Sequence, residues 1–216
     1  MSINNQLIFG YFTFPFPLEI FKLCAIIGLS EKEAITLKKN SIRNLVMTAL
    51  FCALICVVTA ALPFPVANGY ANLGDAVIAV CAYFTGPVLG FVAAGVGSAL
   101  ADLILGYAVY APATLIIKGT MAVVFYLIFR PFANKKSKVF GLLLASAATE
   151  ALMVVGYFLF ECILYSPAGA LQSIPQNLIQ AAAGFIGTTV TVMILSHNKF
   201  LSQHSVMDMK KHTSRK

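Results

Sequence analysis

The sequence predicts an all-α integral membrane protein with six transmembrane helices and both termini on the cytoplasmic side. Three observations carry this. Hydrophobic residues make up 59% of the 216-residue chain and charged residues only 11%, whereas a soluble domain carries roughly 25% charged residues. Mean hydropathy is +0.86, which suits a lipid solvent rather than water. Finally, the basic residues cluster in alternate inter-span segments, as a membrane topology demands.

Residues 1–43 stand apart. Phe9 to Leu29 is apolar but carries Pro15, Pro17, Glu19 and Lys22, which make a poor spanning helix. It lacks a basic leader and a small-residue cleavage site, so it does not read as a signal peptide. An interfacial or poorly ordered extension is expected. Ser30 and Glu33 are placed as the cap and capping-box residues of a short surface helix ending near Asn40.

The membrane domain is expected over residues 44–196. The first span covers Asn44 to Leu62 and stops at Pro63 and Pro65. An uncharged loop, Phe64 to Asn72, follows. The second span is short, from Leu73 to Thr85-Gly86-Pro87, and is expected to be tilted or partly inserted. The third covers Val88 to Gly106, the fourth Ala113 to Phe129, the fifth Val139 to Leu164 and the sixth Leu171 to Leu195. Residues 197–216 form a basic cytoplasmic tail. Lys38, Lys39 and Arg43 precede the first span, and Arg130, Lys135, Lys136 and Lys138 separate the fourth from the fifth. The loops after the first, third and fifth spans hold no Lys or Arg. Only an even number of spans puts all the basic segments on one side.

Composition also limits function. The net charge of +7 is explained by orientation in the membrane, so nucleic acid is not an expected partner. No GxxxxGK[ST] loop occurs, so ATP-driven work would need a partner that binds ATP. Cys24, Cys52, Cys56, Cys81 and Cys162 form no CxxC pair and read as small hydrophobes, with no metal or cofactor expected.

The informative residues are the ionisable ones inside spans: Asp75, Asp102, Lys118, Glu150 and Glu161. Each costs about 2.5–3.5 kcal/mol at mid-bilayer on insertion scales and so needs a partner or a purpose. Asp75, Asp102 and Lys118 all fall within roughly 8 Å of the outer surface at 1.5 Å per residue. Asp102 and Lys118 flank one short loop. Two readings stand: an ion pair locking the third and fourth spans, or the wall of a polar pocket. Glu150, Tyr157 and Glu161 lie within about 20° of one line on a helix. Lipid would not tolerate that face. Asn177, Gln180, Gly184, Gly187 and Thr191 form a stripe on the sixth span, amide-bearing outside and small inside. It suits ligand contact or interhelical hydrogen bonding. Asn72, Tyr110 and other outer aromatics complete a candidate pocket for a flat, water-soluble, hydrogen-bonding molecule.

Several stretches together carry a resemblance: Asn72-Leu73-Gly74-Asp75-Ala76, Gly86-Pro87-Val88-Leu89-Gly90, Gly97-Ser98-Ala99-Leu100-Ala101-Asp102, and Tyr110-Ala111-Pro112-Ala113-Thr114 with Lys118-Gly119. Over about Ser41 to Ser196 the chain resembles the substrate-binding S components of energy-coupling factor (ECF) vitamin transporters, in the subgroup of riboflavin, pyridoxine and hydroxymethylpyrimidine carriers. The resemblance implies a six-helix bundle in a bacterial cell membrane and a vitamin pocket near the outer face. It also implies a transmembrane coupling subunit and two ATPase subunits as partners. Ala49 and Ala53 match the family's first-helix AxxxA docking pattern. The resemblance implies solute capture without enzymatic activity. A stand-alone transporter or channel is the alternative, disfavoured by the absence of an internal repeat. A membrane-embedded enzyme is a weaker one, for want of an HExxH motif or a nucleophile with a matched base.

Overall fold

The computed structural model describes residues 31–61, 64–66, 69–133 and 135–198. The extension over residues 1–30, with its expected cap at Ser30, and the basic tail from residue 199 lie outside the described residues. The chain divides into two units, Met1–Arg43 and Asn44–Lys216, and the second holds the bundle.

Helix α1 (Glu31–Ala61) is followed by strands β1 (Phe64–Val66) and β2 (Gly69–Ala71), then by α2 (Gly74–Thr85), α3 (Pro87–Ile104), α4 (Ala111–Phe129), α5 (Lys138–Leu164), α6 (Pro167–Leu171) and α7 (Ile174–His197). Among the described residues, five stretches are long and apolar enough to cross a membrane: Ile42–Ala61 and the whole of α3, α4, α5 and α7. The sixth expected span is α2, an apolar helix of 12 residues.

Three differences from the expected elements have local causes. The separate surface helix and first span are one helix, α1, because residues 31–61 contain no Gly or Pro to interrupt the backbone ladder. The expected loop over Phe64 to Asn72 contains an antiparallel ribbon with Phe64 opposite Ala71 and Val66 opposite Gly69. A short helix, α6, precedes the last span; Pro167 begins it and the Ser166 hydroxyl accepts a bond from Gly169 N at 3.1 Å.

The breaks between helices follow from single residues. Gly86, at φ +83°, ends α2, and Pro87 starts α3 at once. Gly106, at φ +85°, ends α3 in a Schellman turn: Tyr107 N donates to Asp102 O at 2.8 Å and Gly106 N to Leu103 O at 3.3 Å. This turn delivers Tyr107 to the end of the bundle.

Small residues set the helix spacing. A Cβ at Gly95 in α3 would lie 2.5 Å from the Leu115 carbonyl of α4, and one at Gly97 would lie 2.5 Å from the Cys52 carbonyl of α1. Backbones this close are the usual means of packing helices in lipid. Helix α2 packs against α3, α4 and α7, and buries Ile78, Cys81 and Tyr83 with Met121, Phe125 and Phe129 of α4. Outward, the helices expose Leu45, Val88, Ile104, Ile163, Ile179 and Ile194, an apolar perimeter that lipid would cover.

Candidate functional site

The apolar core occupies one end of the bundle, and polar side chains gather at the other. Thr59 and Asp102 lie near the C-terminal ends of α1 and α3, Lys118 in the N-terminal half of α4, Glu161 near the end of α5, and Asn177 near the start of α7. They line one cavity of about 520 Å3, its open mouth included.

Beneath this cavity lies a buried ion pair. Asp75 sits in the first turn of α2, where the helix dipole favours a carboxylate. Its Oδ1 meets Lys118 Nζ at 2.5 Å, and its Oδ2 accepts from Gln180 Nε2 at 2.9 Å. Both carboxylate oxygens are therefore engaged, and α2, α4 and α7 are tied at one point. The Lys118 ammonium also lies 5.6 Å from the centre of the Tyr157 ring, within cation–π range. The Tyr157 hydroxyl is 3.1 Å from Thr114 Oγ1, which orients the ring.

A second cluster stands at the mouth. The Tyr110 hydroxyl is 3.4 Å from Glu161 Oε1 and 3.3 Å from the Tyr165 hydroxyl, and Ser173 Oγ donates to Glu161 Oε2. Burial first, then the bond to Tyr165, pushes the Tyr110 phenol above its ordinary pKa, so it stays neutral. These contacts join the start of α4, the end of α5 and the loop before α7.

A third group has polar atoms with no hydrogen-bond partner within the chain. Among the described residues these are Thr59 Oγ1, Ser98 Oγ and Asn177 Nδ2, all on cavity-lining residues, and Glu150 Oε2. Thr59 and Ser98 are 2% and 1% exposed. A buried polar group left unmatched costs about 1–3 kcal/mol.

Of the residues singled out in the sequence, Asn72, Asp102, Tyr110, Lys118, Tyr157, Glu161, Asn177 and Gln180 line the cavity. Two are placed differently. Asp75 lies behind the wall, because Lys118 and Gln180 occupy its oxygens. Glu150 is also set back, about three turns of α5 deeper than Glu161, with its carboxylate against Gly184 of α7: a Cβ there would lie 2.4 Å from Glu150 Oε1. Lys118 has its ion pair with Asp75 of α2, a partner the loop-flanking argument did not name, while Asp102 takes a place on the cavity wall. The stripe on α7 splits as its chemistry suggests, with Asn177 and Gln180 at the cavity and Gly184 against a neighbouring helix. Ala49 and Ala53 are exposed on one face of α1.

Thr59, Ser98 and Thr114, which carry no expected binding role, also line the cavity, together with Tyr107, one of the outer aromatics, and Gln176, one of the amides that open the sixth span. Ser98 and Thr114 each sit four residues before an ionisable lining residue, Asp102 and Lys118, so helical spacing held the signal. Thr59, one hydroxyl in an apolar run, offered none.

Residues 39–197 match a family model described as "ECF-type riboflavin transporter, S component". The chain is also 39% identical over 125 residues to an "Uncharacterized protein in gap 3'region" of Pyrococcus woesei, an alignment covering 58% of this chain and 81% of that protein.

Proposed function

The chain belongs to the S-component family of ECF-type riboflavin transporters, and on that premise we propose that it captures a small water-soluble vitamin or precursor from outside the cell for uptake by partner subunits. The observation that carries this is a cavity into which five helices send polar side chains. Tyr107, Tyr110 and Tyr157 offer aromatic faces for a planar heterocycle. Asn72, Gln176, Asn177 and Gln180 carry amides able to donate and accept along its edge. Of the three vitamin types in the resemblance, riboflavin has the added support of the matching family's own description.

The six-span topology counts α2 as the short second crossing. The basic residues before the first span, between the fourth and fifth, and after the sixth support a topology with both termini in the cytoplasm. The polar end of the bundle then faces outward. Energy comes from a transmembrane coupling subunit and two ATPases, and Ala49 and Ala53 on the exposed face of α1 offer them a docking strip.

Mass spectrometry of the solute retained after gentle purification tests the capture role directly. A heterocyclic vitamin or precursor bound in about equal molar amount is expected. Uptake in cells should require co-expression of the coupling and ATPase subunits. Purified protein that retains no such solute and binds none on titration would refute the proposal.

A further inference from the structure

Glu150 is a buried acid set behind the cavity, and it is 4% exposed. Its carboxylate lies on the backbone of α7: a Cβ at Gly184 would be 2.4 Å from Oε1, 2.7 Å from Cδ and 2.9 Å from Oε2. Oε2 is buried and has no hydrogen-bond partner within the chain. The glycine gives the carboxylate room but brings no side-chain donor. Charge is a second, independent constraint. Asp75 of α2 and Lys118 of α4 are the charged groups whose fields reach Glu150. Helix α7 has no ionisable side chain before His197 at its far end, and α6 has none. On α5 itself, Glu161 is engaged with Ser173 and Tyr110. Lys118 is the only Lys or Arg among the described buried residues, and its ammonium is 2.5 Å from Asp75 Oδ1. Two carboxyl groups thus share the field of one ammonium, which is already paired with one of them.

We infer that Glu150 is a proton-binding site, held as a neutral carboxylic acid between α5 and α7 while Asp75 holds the Lys118 ammonium. An ionised carboxylate with neither donor nor counter-ion is among the most costly groups to bury, and a bound proton removes that cost. Among the described residues no group of three or more His, Cys, Asp or Glu could hold a metal ion, so a proton is the ligand that fits. The proton has a second effect. An ionised Glu150 would compete with Asp75 for Lys118 and loosen the tie between α2 and α4. The acid form leaves Lys118 with one carboxylate partner and the centre of the bundle without net charge from these three residues.

Infrared spectroscopy of the purified full chain tests this by reading the C=O stretch of protonated carboxyl side chains. At neutral pH the wild type should show such a band, and Glu150→Gln should lose it. Glu150→Ala should lose the same band, so the test does not depend on one variant folding. In the double variant Asp75→Ala with Lys118→Met no buried cation remains to favour the ionised form, so Glu150 should keep its band there. A band present in the double variant and absent from the wild type would make Glu150 a second ionised partner of Lys118 and overturns the inference. A wild-type band that neither substitution of Glu150 removes overturns it as well. A wild-type melting temperature that rises when sodium replaces choline at constant ionic strength, with no such rise in Glu150→Gln, overturns it in favour of a metal cation.

Discussion

Lys118 Nζ lies 2.5 Å from Asp75 Oδ1, and the two side chains are 2% and 0% exposed. The pair joins residues 43 positions apart in sequence and secures α2, an apolar helix of 12 residues, to α4. Breaking one half of a buried pair leaves a charge without compensation, at a cost of about 3–5 kcal/mol. Asp75→Ala should therefore lower the melting temperature in detergent strongly. Replacing both residues, as in Asp75→Ala with Lys118→Met, should recover much of the loss, since two apolar side chains leave no buried charge. A double mutant as unstable as the single one would show that the pair is not what holds these helices.

Position along the cavity should grade the effect on binding. Lys118 is on the wall and Glu150 is behind it. Lys118→Ala should weaken ligand binding about tenfold or more, and Glu150→Ala by a smaller factor, both measured by titration of protein that still inserts and runs as a monodisperse peak. Unchanged affinity in both would place the pocket elsewhere.

Glu150 and Gly184 should be coupled through space. An alanine at Gly184 would put its Cβ 2.4 Å from Glu150 Oε1. Overpacking of this kind costs about 1–3 kcal/mol. The penalty of Gly184→Ala, read as a shift in melting temperature, should shrink when Glu150 is also alanine. An unchanged penalty would mean that the strain of the substitution lies in the backbone.

The cavity should discriminate against anions. Asp102 and Glu161 both line it, while the charge of Lys118 is answered by Asp75. A phosphate ester of the captured vitamin would meet two carboxylates and no free cation among the described lining residues, and like charges brought together weaken binding. The free vitamin should bind at least about tenfold more tightly than its phosphate ester in paired titrations.

The exposed face of α1 should matter for uptake alone. Ala49 and Ala53 are one turn apart and both exposed. Replacing both with Phe should spare ligand binding by the purified chain and stop uptake in cells carrying the partner subunits. Normal uptake would move the docking surface elsewhere.

Much of the architecture was legible along the chain because it depends on local quantities. Apolar run length, helix-stopping prolines and glycines, and the placement of Lys and Arg are read one segment at a time. They predicted the short second helix ending at Gly86-Pro87 and long helices close to those seen. The cost of a charge in lipid singled out Asp75, Asp102, Lys118, Glu150 and Glu161 before any geometry was known. A charge in lipid must have a use, but its cost does not fix which of these residues meet.

The meeting was decided in three dimensions. Asp102 flanks the same short loop as Lys118, yet Asp75 makes the ion pair, because α2 packs against α4. Thr59 and Ser98 became candidate binding groups only when folding buried their hydroxyls beside one cavity with no partner in the chain. A side chain's chemistry is a property of its type, but whether a hydrogen bond is satisfied depends on atoms distant in sequence, which only packing brings within about 3 Å.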